Sequence, residues 1–378
     1  MRLPEDFGFV SEGHAVKMPT PATRTQNIIF YDAGKPIEEV ERELGISESI
    51  KLASNENPLG PSPRAIEALQ DTLKGLNRYP DGSGYYLKHA LADRYGLRPE
   101  QFTLGNGTNE VLENIGKAFL DPGDEAIMGD AAFVVFHIVA QLCQAERVVV
   151  PLKEYVHNLE EMANRITNRT KIIFVANPNN PTGTSVGRER LKGFLDSVPS
   201  RVLVVLDEAY AHYPTMPDHP DGIELLADYP NLFVLRTFSK VYGLAGIRVG
   251  LGAGNSECVR AVEKLREPFN VNGLALAAAL AALDDEDHVK RSSQMNAEGL
   301  KFLYDRLDEL GVSYVPTQAN FLLVEVGDGV DVFEKLLREG VIVRPVKAYG
   351  LPAHVRVTVG LPEENRRFVD ALARVLGR

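Results

Sequence analysis

Val202-Leu203-Val204-Val205-Leu206-Asp207-Glu208-Ala209-Tyr210 runs from a continuous apolar stretch straight into two carboxylates and a phenol. An uninterrupted Val/Leu run of this length reads as a strand buried on both faces, the form expected in a parallel sheet. An Asp at the end of such a strand is costly unless it meets a cation, and a protonated pyridine nitrogen is one such partner. Tyr210, three residues on, is placed to donate to a phenolic oxygen on the same ring. The competing reading is a sheet-end Asp that caps the following helix.

Outward from this stretch, further strand patterns fall at 147–152, 171–176, 232–236 and 246–251, mostly rich in Val and Ile. Helix-length amphipathic segments at 110–120 and 187–196 separate some of them. The alternation predicts an α/β sheet with helical crossovers. After about residue 280 the texture changes: a charged helical stretch at 284–310 leads into short strands at 320–325, 341–344 and 354–359. That segregation predicts a smaller α+β domain closing over the first. Residues 1–35 read as a docking arm, 37–44 as a short charged helix, and 51–61 as a turn-rich stretch punctuated by Pro and Gly. The expected division is an arm at 1–35, a large domain at 60–270, and a small domain from 36–59 and 271–378.

Three more clusters belong at the carboxyl edge of that sheet, where open α/β folds bind ligands. Thr237-Phe238-Ser239-Lys240 follows the strand 232–236, with Arg248 eight residues beyond the lysine. A lysine there suits Schiff-base formation once its pKa falls from about 10.4, and burial beside Arg248 lowers it. Taken alone, Lys240 would read as a surface residue after a strand. Asn177-Pro178-Asn179-Asn180-Pro181-Thr182-Gly183 ends the strand 171–176 and holds Asn side chains at the same edge. Gly105-Asn106-Gly107-Thr108-Asn109-Glu110 opens the helix 110–120, where small residues and free N–H groups suit a phosphate. It is neither a Walker loop nor a full G-x-G-x-x-G, and Thr108 or Asn109 could serve simply as a helix cap.

Together these pieces resemble fold-type I aminotransferases that use pyridoxal phosphate (PLP), and within them the histidinol-phosphate aminotransferase family, across nearly the whole chain. The carrying motifs are 34–40 (GKPIEEV), 55–58 (NENP), 77–81 (NRYPD), 105–110 (GNGTNE), 178–183 (PNNPTG), 207–210 (DEAY), 239–240 (SK), 244–248 (LAGIR), 343–345 (VRP) and 355–360 (VRVTVG). The resemblance implies a large domain with a mostly parallel seven-stranded sheet plus a smaller α+β carboxy-terminal domain.

It also implies roles. Lys240 would carry PLP as a Schiff base and, once released, move the proton between Cα and C4′. Asp207 would pair with the pyridinium nitrogen, while Tyr210 and Asn180 would hydrogen-bond O3′. Gly107, Thr108, Asn109, Thr237, Ser239 and Arg248 would form the phosphate site, and Phe133 would stack on the ring. Tyr79 would reach the phosphate in a neighbouring subunit, which implies a homodimer with shared active sites. Arg356 would grip the carboxylate of glutamate, a bidentate contact. Arg344 and Tyr31 would help recognise the substrate's distal group or phosphate. For the two arginines the competing reading is a surface ion pair. Many relatives carry Tyr where this chain has Phe133 and Asp where it has Asn109, so a hydroxyl and a charge are missing here.

Composition agrees with a small-molecule enzyme. The 378 residues carry 41 Lys+Arg against 52 Asp+Glu, a net charge of −11, with 44% apolar and 25% charged residues. An acidic chain without a basic cluster argues against nucleic acid, and the length suggests about two domains. Cys143 and Cys258 lie far apart without a C-x-x-C, which excludes a disulfide framework or zinc ribbon and fits a reducing compartment. The longest apolar run, 274–283, is far below the ~20 residues needed to cross a bilayer, and residues 1–6 lack a signal peptide's apolar stretch. A cytoplasmic protein is expected. His89, His137, His157 and His354 show no metal-ligand spacing, so no metal is expected, and His212 reads as a solvated loop residue.

The expected activity is a ping-pong transamination between histidinol phosphate and 2-oxoglutarate, giving imidazole-acetol phosphate and glutamate. Three alternatives stand beside it: an aromatic amino acid aminotransferase, a PLP lyase resembling threonine-phosphate decarboxylase, and a non-catalytic PLP-binding regulatory module. The intact Lys240 and Asp207, with no DNA-binding extension, count against the last.

Overall fold

In a computed structural model that describes residues 19–25, 28–29 and 34–378, thirteen strands appear among the described residues. They are β1 (Ile50–Lys51), β2 (Phe102–Gly105), β3 (Glu125–Gly129), β4 (Glu146–Val150), β5 (Thr170–Ala176), β6 (Leu203–Asp207), β7 (Leu232–Thr237), β8 (Gly250–Gly254), β9 (Tyr314–Val315), β10 (Phe321–Glu325), β11 (Val341–Ile342), β12 (Arg344–Pro345) and β13 (His354–Thr358). Seven form one sheet in the order β2-β8-β7-β6-β5-β3-β4. Its pairings are parallel except those made by β8, which runs antiparallel to both β2 and β7.

The central strands are apolar because helices cover both faces. Val204, Val205 and Leu206 are fully buried, each contributing roughly 1.5–3 kcal/mol of transfer free energy. Register then sets the site. Asp207 pairs with Ala176 on one side and Leu235 on the other, so β5 and β6 end level and β7 runs two residues further, to Thr237, at the same edge.

Two strands of this seven-stranded sheet, β2 and β3, carried no clear sequence pattern. β3 opens on Glu125, a buried carboxylate held by Arg169 at 2.6 Å and by the Thr167 and Thr170 hydroxyls. A charge at the head of the strand hid it. The strand expected at 246–251 starts later: Ala245–Ile247 is a 3-10 turn, Arg248 has φ 62°, and β8 begins at Gly250. Its alternate glycines are sterically required. A Cβ on Gly250 would lie 2.5 Å from the Thr108 amide nitrogen, and one on Gly252 would lie 2.5 Å from the Phe233 ring.

A four-stranded antiparallel sheet, β12-β13-β10-β9, forms the second layer system, with the helix Glu286–Glu309 leading into it. The segment expected as one strand at 341–344 divides into β11 and β12, which join different sheets. β1 pairs parallel with β11, and the chain beyond it threads on, Leu52 O accepting from Thr358 N at 2.8 Å. Residues 53–56 are thereby delivered to the edge where β5, β6 and β7 end.

Candidate functional site

The carboxyl ends of β5, β6 and β7, the segment after β1 and the β12–β13 pair enclose a cavity of about 330 Å³, within the range of small-ligand sites. Lys240, three residues past β7, lines it and donates from Nζ to the Ser54 carbonyl at 3.1 Å. Burial, then the Arg356 and Arg248 guanidiniums, hold its pKa down to about 8, against the opposing pull of Glu56 and Asp207. A neutral amine is therefore accessible near neutral pH.

Asp207 ends β6, is 5% exposed, accepts from Ala209 N at 3.1 Å and makes no salt bridge among the described residues. Burial pushes its pKa up to about 6. The other carboxylate of the motif is already engaged. Glu208 accepts from Arg236 Nε and Nη2 at 3.0 and 2.8 Å, and Arg236 also reaches Asp221 at 2.7 Å. Only Asp207 faces the cavity.

Thr108 and Asn109 open the helix Thr108–Phe119 behind Gly107, whose φ is 78°. A Cβ on Gly107 would lie 2.3 Å from Arg248 Nη2, so the guanidinium rests against glycine backbone. Arg248 donates to Ala245 O at 3.1 Å and to Ser239 Oγ at 3.4 Å, and Ser239 N donates to Thr237 Oγ1 at 3.0 Å. An arginine, two hydroxyls and a helix start converging on one place make an anion site.

Phe133 lines the same cavity, set edge-on to Phe136. Asn180 sits between the cis peptide bonds Asn177–Pro178 and Asn180–Pro181, and its Oδ1 accepts from Arg356 Nη1 at 2.5 Å. Arg356 is 7% exposed, donates to Ala53 O at 2.6 Å and stands directly opposite Arg344 in the β12–β13 register. Two cations facing each other across strands repel unless an anion lies between them. Arg356 is buried, so it does not sit at the surface as the competing reading required.

One expected residue lies away from this protomer's own cavity. Tyr79 is 83% exposed, stacks on Phe269 at 4.7 Å and does not line the cavity. Tyr31 falls outside the described residues. His212 is not a solvated loop residue: it packs against the Tyr242 ring, and burial pushes its pKa down to about 3.

The sequence assigned no role to Ser54, Asn55, Glu56 or Tyr349, which also line the cavity. For Asn55 a signal existed, since its φ of 55° falls in the left-handed region that Asn tolerates. Its Nδ2 donates to the Tyr210 hydroxyl at 2.9 Å. Nothing local marked Tyr349.

This donor set fits a molecule with a protonated pyridine ring, an aldehyde and a phosphate. A buried carboxylate lacks a cation, an amine is held partly neutral, and the anion cradle admits no Cβ.

The family model for aminotransferase class I and II matches residues 47–372. Histidinol-phosphate aminotransferase 2 of Pseudomonas fluorescens is 51% identical over 93% of this chain and 96% of its own length. The histidinol-phosphate aminotransferase of Moorella thermoacetica is 49% identical over 92% and 90%. The crystal structure of the Sinorhizobium meliloti histidinol-phosphate aminotransferase, solved with pyridoxal-5′-phosphate, superposes with a TM-score of 0.87 at 26% identity, covering 97% of this chain and 99% of that one.

Proposed function

The chain belongs to the class I and II aminotransferases, and on that premise we propose that it is a PLP-dependent transaminase interconverting histidinol phosphate and 2-oxoglutarate with imidazole-acetol phosphate and glutamate. The observation that carries this reading is the convergence of Lys240, Asp207, Arg248 and Arg356 on one cavity.

Bound there, PLP supplies the electron sink that stabilises negative charge at the substrate's Cα. The chain's own groups do the rest. Lys240 Nζ, held partly neutral by burial and by Arg356, takes a proton from one carbon and returns it to another. Asp207 would hold a proton on the ring nitrogen, and that pairing would return its own carboxyl to the ordinary ionised state. Thr108, Asn109, Thr237, Ser239 and Arg248 hold the phosphate. Asn180 and Tyr210 orient the ring, Phe133 covers its face, and Arg356 with Arg344 orients the substrate's anionic groups.

The same proposal includes a homodimer. Support comes from Tyr79, which is exposed and stacks on the exposed Phe269, an aromatic pair suited to a second copy. It also includes the division into an arm (1–35), a large domain (60–270) and a small domain (36–59 with 271–378), supported by the pairing of β1 with β11. No helix among the described residues is long and apolar enough to cross a membrane, and a cytoplasmic site of action fits the two unpaired cysteines.

The test is a visible spectrum of the purified protein with and without glutamate, followed by assays with imidazole-acetol phosphate and phenylpyruvate at equal concentration. A glutamate-driven change of the cofactor band and preference for the phosphorylated acceptor are expected. A large preference for phenylpyruvate would assign the chain to aromatic substrates.

A further inference from the structure

Tyr210 meets a chain of hydrogen bonds drawn from segments far apart in sequence. Asn55 is 1% exposed, Thr358 4% and Tyr210 5%, so each of their polar atoms needs a hydrogen-bond partner. The Asn55 amide N–H donates to Thr358 Oγ1 at 2.9 Å. A hydroxyl accepting there directs its own proton elsewhere, and Asn55 Oδ1 lies 3.2 Å away to receive it. That contact orients the side-chain amide, leaving Nδ2 to donate to the Tyr210 hydroxyl oxygen at 2.9 Å. Asn320 Nδ2 pins the same turn by donating to Asn55 O at 3.0 Å.

A phenol has one proton. With its oxygen accepting from Asn55, and the Phe321 ring packed edge-on against it, Tyr210 must donate in another direction, and it lines the cavity. We propose that Asn55 and Thr358 are positioning residues that set the sense of this hydrogen-bond chain, so that Tyr210 presents its proton, and not its lone pair, to the cavity. The inference rests on the transaminase reading and adds two residues to that site. Thr358 shares β13 with Arg356, so one strand carries both the carboxylate grip and the orientation of the Tyr210 proton. The charged and titratable groups facing Tyr210 are Arg356 from β13, Asp207 at the end of β6, Lys240 beyond β7, and Tyr349. None of them replaces Asn55 as donor to the hydroxyl oxygen among the hydrogen bonds described.

The experiment compares holoenzymes carrying Asn55→Asp, Thr358→Val, Thr358→Ser, Tyr210→Phe and the Asn55→Asp/Tyr210→Phe double variant. Asp is close to isosteric and tolerates the left-handed backbone, but its carboxylate accepts the Tyr210 proton and reverses the chain. Two readouts apply beyond turnover: the dissociation constant for PLP, and the pH midpoint of the bound cofactor's visible absorbance change. Loss of a donor leaves more negative charge on the ring's phenolic oxygen, so the neighbouring proton at Lys240 Nζ is held to higher pH. Asn55→Asp should raise the midpoint by about one pH unit and slow reaction with glutamate about tenfold or more, matching Tyr210→Phe. The double variant should shift by less than the sum of the two single variants, because part of the Asn55→Asp effect acts through the hydroxyl that Tyr210→Phe removes. Thr358→Val should shift the midpoint the same way by less, and Thr358→Ser should restore it. If Asn55→Asp does not fold, the Thr358 pair decides. An unchanged midpoint in Asn55→Asp or Thr358→Val beside a shifted one in Tyr210→Phe overturns the inference, as does additivity in the double variant. A wild-type band that ignores glutamate overturns the transaminase reading itself.

Discussion

The Arg356 guanidinium donates to the Asn180 side-chain oxygen over 2.5 Å, tying β13 to the loop that follows β5. One side chain thereby joins the four-stranded sheet to the edge of the seven-stranded one, inside the cavity where the substrate's carboxylate is proposed to bind. Asn180 fixes the plane of the guanidinium, and a planar fork is what a carboxylate requires.

Arg356→Lys keeps the charge and loses the fork. Removing one charge-assisted hydrogen bond costs about 2 kcal/mol, so kcat/KM for glutamate should fall roughly 30-fold while PLP stays bound. Steady-state kinetics with cofactor content measured in parallel check this. An unchanged kcat/KM would place the carboxylate elsewhere.

Gly107→Ala tests the cradle. The new Cβ would meet Arg248 Nη2 at 2.3 Å, displacing the guanidinium from the anion site. The dissociation constant for PLP should rise about 100-fold. Gly45→Ala is the control: its φ is 65°, but its Cβ would meet nothing within 4 Å. It should cost stability and leave PLP affinity alone.

Asp207 predicts a pH dependence of the cofactor-free protein. Burial raises its pKa from 3.8 to about 6, so the folded state holds the proton more tightly than the unfolded chain. The resulting stability is fully present below pH 3.8 and is lost as pH rises through about 6. Between pH 5 and 7.5 the loss amounts to roughly 1 kcal/mol, and Tm should drop by about 1–2 °C. Asp207→Asn should remove that part of the drop, and so should PLP, whose ring cation meets the carboxylate. Calorimetry at the two pH values, with and without PLP, tests both statements.

Tyr79→Phe probes the partner contribution. The side chain is 83% exposed within one protomer, so losing its hydroxyl should leave Tm unchanged. If Tyr79 reaches a phosphate in the neighbouring subunit, the dissociation constant for PLP should rise about tenfold, read by equilibrium titration. Unaltered affinity would separate Tyr79 from the cofactor site.

Much of the site was legible in the sequence because its residues sit at fixed offsets from strand ends. Asp207 closes β6 and Lys240 follows β7 by three residues, so recognising those strands places both at one edge. The glycines of β8 were harder to read. Their pattern reflects the close approach of the Thr108 amide and the Phe233 ring, which no local propensity reports. β3 was hidden for a related reason, since Glu125 is stabilised only by Arg169, Thr167 and Thr170 from a different segment.

By itself, then, the sequence determined the motif set, the family it resembles and the residue types for a cation-seeking carboxylate, a nucleophilic amine and an anion cradle. These are local properties, read from periodicity and from polar residues abutting apolar strands. Tertiary structure alone decided which of two adjacent carboxylates faces the cavity: Arg236 and the Gly222 amide engage Glu208 and leave Asp207. It also decided that Asn55 and Thr358, 303 positions apart, hydrogen-bond each other, and that Asn55 in turn reaches the Tyr210 hydroxyl. Such contacts depend on how β1, β6 and β13 pack together, and hydrogen bonds between segments so distant leave no spacing to read.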